Sequence, residues 1–331
     1  MSSNATPSAF GWDFQVNAAI VLMLENIKEA KSVRVEGKKE DIEITFNDNS
    51  KIYSQAKSVV NAEDYTNVRS KLRKAIKTMN EATDDRTKKL IYVTNSPNPF
   101  NIENTRYAFY KETILSYIDL PTECKSIIDK YIREDENTNI DIKRLKIKII
   151  PFFTNNLTER YKVIKTDIDD FLYTLNRRET MGMGKELLNI WQLEFAHNST
   201  KSDLKIEISK KDLMWSIIVK SAQLYEDSSE LDEYDEGLVE EIIRYYNDLI
   251  EDISEKFEII TKVISDYNNY KKTNKKKYIE EFSNEKREEY IRLFNLQNSD
   301  DEVNEILAII ITKKIINNRY LINEIYKKVN L

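Results

Sequence analysis

The stretch from Glu36 to Lys57, EGKKEDIEITFNDNSKIYSQAK, admits few conformations. Along Asp41-Ile42-Glu43-Ile44-Thr45-Phe46 polar and apolar residues alternate, which is the period of a strand buried on one face. Asn47-Asp48-Asn49-Ser50 is turn chemistry, four small polar residues that tolerate tight backbone angles. Lys51 to Lys57 is the returning strand, so the segment predicts a β-hairpin. Alternation puts Asp41 and Glu43 on one face and Ile42, Ile44 and Phe46 on the other. Gln55 and Lys57 share a face of the second strand, where an acid from the first can meet them.

Such a meeting has two readings. Acid–lysine pairs across a hairpin are commonly solvated surface pairs, worth ~0.2–1 kcal/mol. Alternatively, a carboxylate, an amide oxygen and a backbone carbonyl are hard oxygen donors suited to Mg²⁺. A lysine beside them can orient a water and stabilise charge developing on a phosphate.

Three motifs extend the second reading: Phe10-Gly11-Trp12-Asp13-Phe14-Gln15, then Glu40-Asp41-Ile42-Glu43 with Gln55-Ala56-Lys57, then Ile91-Tyr92-Val93-Thr94-Asn95. Together they resemble the PD-(D/E)xK nuclease superfamily. More narrowly, they resemble the double-stranded DNA endonuclease domain of CBASS and Lamassu anti-phage defence systems. The resemblance covers roughly the first third of the chain and thins after it. It implies a restriction-endonuclease-like fold and a Mg²⁺-dependent endonuclease, with Mn²⁺ as the alternative ion. It also implies that Asp41, the Gln55 amide oxygen and the Ala56 carbonyl ligate the ion. Lys57 would act on the water or the phosphate, and Glu43 would serve as a second carboxylate. Gln55 stands where the superfamily usually has Glu, and a neutral amide holds a metal more weakly. On the first helix Gln15 reads either as facing the ion or as a helix-end hydrogen bond, and Glu25 as an accessory acid or a surface residue. The implied setting is the effector subunit of a bacterial defence complex, restrained by an ATPase, an SMC-like protein or a sensor. A second copy of the chain is a further partner that this setting allows.

The rest of the chain supplies a scaffold. Only 5 glycines and 5 prolines in 331 residues disfavour an all-β design and favour long helices. Helix is expected over Phe10 to Ala30, a strand over Ser32 to Glu36, then the hairpin. A second helix follows over Tyr65 to Ala82 and a strand over Lys89 to Asn95. Helix is also expected over Asn101 to Leu120 and Pro121 to Arg133, and a strand over Leu145 to Ile150. This order suits an α/β mixed sheet flanked by helices. A nuclease-like domain is expected over residues 1–155, followed by a mainly helical regulatory or assembly domain over 156–331. Residues 1–9 read as a loose tail.

The formal net charge is −6, so any DNA contact must come from a local basic patch. The second helix offers one on the face away from Val68, Leu72, Ile76 and Met79, carrying Arg69, Lys71, Arg73, Lys74 and Lys77. Arg69, Arg73, Lys74 and Lys77 are the expected phosphate contacts, the plain alternative being a solvated helix face. Residues 226–241 are strongly acidic and read as a solvated linker or a patch for a basic partner. The run Lys271 to Lys277 reads as a connector or a DNA contact.

Other chemistries find little support. One histidine, His197, and one cysteine, Cys124, come with no motif for zinc or nucleophilic catalysis. No GxxxxGK[ST] loop is present. No apolar run reaches membrane-spanning length and no leader is read at the start, so the cytoplasm is the expected location and a membrane is not an expected partner. Two further readings of the same fold stay open, a non-catalytic DNA-binding or subunit-docking adaptor and an RNA-directed nuclease.

Overall fold

The first helix is apolar almost all the way round. In the computed structural model α1 (Thr6–Glu25) is buried at every residue from Phe14 to Leu24. A helix with no polar face must be covered on all sides, and α1 lies against the sheet with α6 (Gly184–Ser199) packed on it. The structure describes residues 6–153, 156–252, 256–273, 278–298 and 300–331. Of the expected N-terminal tail, residues 1–5 lie outside the described residues, while Thr6 to Ala9 already belong to α1.

After α1 come β1 (Ala30–Val35), β2 (Ile42–Phe46) and β3 (Lys51–Lys57). Then α2 (Val68–Ala82) leads to β4 (Thr87–Thr94). Two 3-10 segments at Glu103–Phe109 and Tyr117–Asp119 enclose β5 (Thr113–Ser116). They are followed by α3 (Thr122–Glu134), β6 (Leu145–Ile149), α4 (Leu157–Arg160), α5 (Lys162–Thr180), α6 and the two-residue β7 (Ile208–Ser209). The strands form one seven-stranded sheet in the order β5-β6-β4-β3-β2-β1-β7. The β3–β4 and β4–β6 pairs are parallel and the others antiparallel. The α/β mixed sheet flanked by helices is thus the observed fold.

The expected hairpin is present, with Ile42 opposite Ser54 and Ile44 opposite Ile52. Its register sets one face of the sheet. Tyr53, Leu90, Tyr92, Leu145, Ile147 and Ile149 lie under Leu72, Ile76 and Met79 of α2 and Cys124 and Ile128 of α3. Cys124 is buried in this core.

The helix expected over Asn101 to Leu120 is not formed. Asn101 adopts φ +50°, and Thr113 to Ser116 pair with Lys146 to Ile149 as an edge strand instead. Pairing with β6 outweighs a weak local helical preference, as tertiary context commonly does.

Contacts divide the chain into one unit of Met1–Tyr173 with Gly182–Leu213 and another of Thr174–Met181 with Met214–Leu331. The first unit therefore runs past the boundary expected near residue 155, because α6 packs on α1 and β1. Residues 154 and 155 themselves lie outside the described residues.

The second unit is the mainly helical region. Beyond α7 (Lys210–Ala222) it contains α8 (Glu236–Asp252), α9 (Lys256–Thr273), α10 (Ile279–Leu293), α11 (Asp301–Asn317) and α12 (Arg319–Val329). Trp215 Nε1 donates to the Ile250 carbonyl at 3.0 Å and Tyr246 Oη to that of Ala222 at 2.8 Å, each inside its core. Of the Lys271 to Lys277 run, residues 274–277 lie outside the described residues. No helix among the described residues is long and apolar enough to cross a membrane.

Ile76, fully buried between α2 and the sheet, gives a direct measure of this packing. Ile76→Ala should lower stability by about 2–5 kcal/mol, read as a shift of the urea unfolding midpoint followed by circular dichroism. A shift under about 0.5 kcal/mol would mean that α2 is not seated on the sheet as described.

Candidate metal centre

The β1–β2 connection places two acids side by side. Glu36 takes φ +53°. The Glu36 and Gly37 N–H groups donate to the carbonyls of Asp41 and Glu40, at 2.8 and 3.0 Å, closing a tight turn. Residues 38–41 are bent rather than extended, so strict alternation begins only at Ile42.

Asp41 lies one step beyond the Ile42–Ser54 pair, across from Gln55. Its Oδ2 accepts from the Ala56 N–H at 3.0 Å and from Lys57 Nζ at 3.2 Å. Asp41 and Lys57 keep part of their side chains open to solvent. The expected convergence of Asp41, Gln55, Ala56 and Lys57 is therefore present in space. The contact that Ala56 makes with Asp41 is through its N–H. The Gln55 amide is buried, and its Oε1 accepts from Thr78 Oγ1 of α2 at 2.6 Å.

The other expected residues sit differently. The Glu43 carboxylate accepts from the Lys39 N–H at 2.7 Å and pairs with Lys51 at 2.9 Å. Its side chain also fills the space over Gly37, where an added Cβ would come within 2.5 Å of it. Its charge is directed along the strand, away from Lys57. Gln15 is buried and uses its amide N–H groups on the Asp41 carbonyl at 3.0 Å and on Glu36 Oε1 at 2.9 Å. Through its amide nitrogen it holds the Asp41 backbone.

Glu25 is ten residues further along α1, about 15 Å away at 1.5 Å per residue. It pairs with Lys148 of β6 at 2.6 Å. Lys148 is buried and also bonds Glu112 at 2.7 Å. Asp167 of α5 completes this group. Its Oδ2 is buried without a hydrogen-bond partner. Burial first, and then the Glu112 charge, push its carboxyl up to about 7 against the pull of Lys148.

Three further residues lie at the centre to which the sequence assigned no role there. Glu40 is 5% exposed and its Oε1 has no hydrogen-bond partner. Burial first, and then the Asp41 charge, push its carboxyl up to about 8, with Thr78 and Lys57 pulling it back. Lys71 of α2 bonds the Ser58 carbonyl just past Lys57. Burial lowers its pKa and the Lys57 charge lowers it further, against Asp64. Asn95, fully buried, accepts from the Val59 N–H at 2.7 Å and donates to the carbonyls of Val59 and Phe152 at 2.8 and 2.6 Å. It pins the chain that leaves Lys57. The only signals for these in the sequence were the Glu-Asp doublet, a lysine three residues into α2 and the Thr-Asn strand end.

Two of the expected phosphate contacts are occupied within the fold. Arg69 donates to the carbonyls of Phe100 and Asn101 at 2.6 and 3.1 Å. Arg73 forms a two-point pair with Asp135 and a further contact with Glu134 at 3.2 Å. Lys74 and Lys77 are exposed. Lys74 sits three residues after Lys71 and four before Thr78, a spacing that puts it on the same flank of α2.

Among the described residues no group of three or more His, Cys, Asp or Glu has metal-ligand geometry. The donor set at this centre is mixed: two carboxylates, one amide oxygen and main chain. A buried carboxyl oxygen left without a partner is costly, and a divalent cation is a fitting remedy in a site of hard oxygen donors.

No family model and no curated protein matches the sequence. Among solved structures the chain is similar to the Cap4 SAVED/CARF-domain containing receptor of Moraxella osloensis, at 16% identity and a TM-score of 0.38. The match covers 64% of this chain and 47% of the receptor, about half its length.

The acidic group around Lys148 predicts a pH effect. The Asp167 folded-state pKa is above the unfolded value of about 3.9. The folded chain therefore binds more protons between pH 4 and 7, and stability falls as pH rises through that window. Asp167→Asn should remove this loss. Solvent screening at a partly open position limits the gain to about 1 kcal/mol. Urea unfolding at pH 4.5 and pH 8 should show the variant gaining on the parent at the higher pH, and parallel curves would refute the coupling.

Proposed function

We propose that this chain is a Mg²⁺-dependent endonuclease for double-stranded DNA. The observation that carries the reading is the meeting of Lys57 Nζ, the Ala56 N–H and Asp41 Oδ2 on adjacent strands, beside the Gln55 amide. In this reading Asp41 and Gln55 hold the ion, with the Ala56 carbonyl as the main-chain donor. When bound, the ion supplies positive charge against the scissile phosphate. The Ala56 N–H and the Gln15 bond to the Asp41 backbone fix the carboxylate before any ligand arrives. Lys57, partly open to solvent, orients a water and stabilises charge developing on the phosphate oxygens. Lys74 and Lys77 contact flanking phosphates.

The sequence resemblance supports placing this activity in a bacterial anti-phage complex as its effector. The helical unit would then serve assembly with an ATPase or sensor partner. One observation favours the second reading, a non-catalytic DNA-binding or docking module. Residue 55 is an amide already engaged by Thr78, which binds an ion less strongly than a carboxylate.

Plasmid cleavage separates the two. The parent should cut supercoiled DNA with Mg²⁺ and not with EDTA. Asp41→Asn and Lys57→Ala should each lower the rate by about 100-fold or more while keeping the parent's circular dichroism. Equal rates for parent and both variants would refute the site, and a parent without metal-dependent cutting would favour the docking module.

Salt dependence tests the DNA surface. Replacing both Lys74 and Lys77 by Ala should reduce the slope of log K against log salt by about 2. Arg73→Ala should leave that slope unchanged. The opposite pattern would mean that phosphate meets a different face.

A further inference from the structure

The superfamily's expected acid is missing at position 55, and Glu43 cannot supply it, because its carboxylate is spent on Lys39 and Lys51. Glu36 is taken by the Gln15 amide, whereas Glu40, next to Asp41 in the chain, keeps a buried oxygen without a hydrogen-bond partner. We propose that Glu40 and Asp41 form a single divalent-cation site with the Gln55 amide, Glu40 supplying the second carboxylate; this rests on the metal-dependent reading above and names a ligand it lacked.

Three observations converge. Glu40 is more than nine-tenths buried, and its Oε1 is enclosed with no hydrogen-bond partner. Glu40 directly precedes Asp41, whose Oδ2 meets Lys57 Nζ at 3.2 Å. The 36–41 turn supplies the geometry. Its bend breaks the strand alternation that would otherwise send neighbouring residues to opposite faces. Thr78 fixes the amide of the set, since its hydroxyl bonds Gln55 Oε1 at 2.6 Å.

Charge gives the reason for the position. With both acids ionised, Glu40, Asp41 and Lys57 sum to −1, the same as an Asp, Glu and Lys set. The acid is displaced from β3 to the turn before β2, and the total facing a Mg²⁺ or Mn²⁺ ion is unchanged. A buried carboxylate with a free oxygen is also a harder, more strongly charged donor than the amide it accompanies.

Isothermal titration with Mn²⁺, and the thermal midpoint with and without the ion, test the assignment without relying on cleavage. Glu40→Gln keeps the shape and removes the charge. It should weaken Mn²⁺ binding about tenfold or more and abolish the ion's stabilising shift. Its metal-free midpoint should equal or exceed the parent's, which excludes misfolding as the cause. Glu43→Gln should hold the affinity within about twofold. If Glu40→Gln binds Mn²⁺ like the parent while Asp41→Asn does not, Glu40 is no ligand, and the endonuclease reading stands without it. If Glu43→Gln loses the ion and Glu40→Gln keeps it, the second carboxylate is Glu43. If the parent itself binds no Mn²⁺ or Mg²⁺, both this inference and the metal-dependent reading fall.

Discussion

One carboxylate oxygen joins the parts of this centre. Asp41 Oδ2 takes the N–H of Ala56 and the ammonium of Lys57, so its position is set by the β2–β3 register and not by side-chain rotamers alone. A slip of one residue would turn Asp41 to the other face and separate it from the lysine. The register is in turn held by burial on both sides, α1 against one face of the sheet and α2 with α3 against the other. Packing energy of the core is thereby converted into the placement of a few polar atoms at the end of two strands.

The supporting contacts share one character, main chain gripped by buried amides. Gln15 holds the Asp41 carbonyl, and Asn95 holds Val59 and Phe152. Buried side-chain amides are costly to strand without partners, so each resists movement of the segment it grips. A centre built this way is organised before a ligand arrives, which is what electrostatic catalysis requires. Among the described residues, a carboxyl oxygen of Glu40 is buried at the centre without a hydrogen-bond partner.

Much of the scaffold was legible in the sequence because its patterns are strong. The alternation of Ile42, Ile44 and Phe46 and the turn at Asn47 to Ser50 specify the hairpin. The spacing of Val68, Leu72, Ile76 and Met79 specifies the inner face of α2. The edge strand β5 was not legible, since four residues of weak alternation become a strand only when β6 lies beside them. The convergence of Asp41 with Lys57 followed from period-two reasoning. That same reasoning placed Glu43 at the centre and passed over Glu40, because a bend at residues 38–41 suspends the alternation. The fates of Arg69 and Arg73 depended on partners 31 and 62 residues away, which no local pattern of charge reports. The lysines of α2 behave likewise. Lys74 and Lys77 remain exposed, whereas Lys71 is drawn in to the Ser58 carbonyl.

A crystal of the protein grown with Mn²⁺ would test the central claim most directly, through the anomalous scattering of the ion. A peak within about 2.5 Å of an Asp41 carboxylate oxygen and of the Gln55 amide oxygen is the predicted result. A peak elsewhere, or none at an ion concentration that fully supports DNA cleavage, would contradict it.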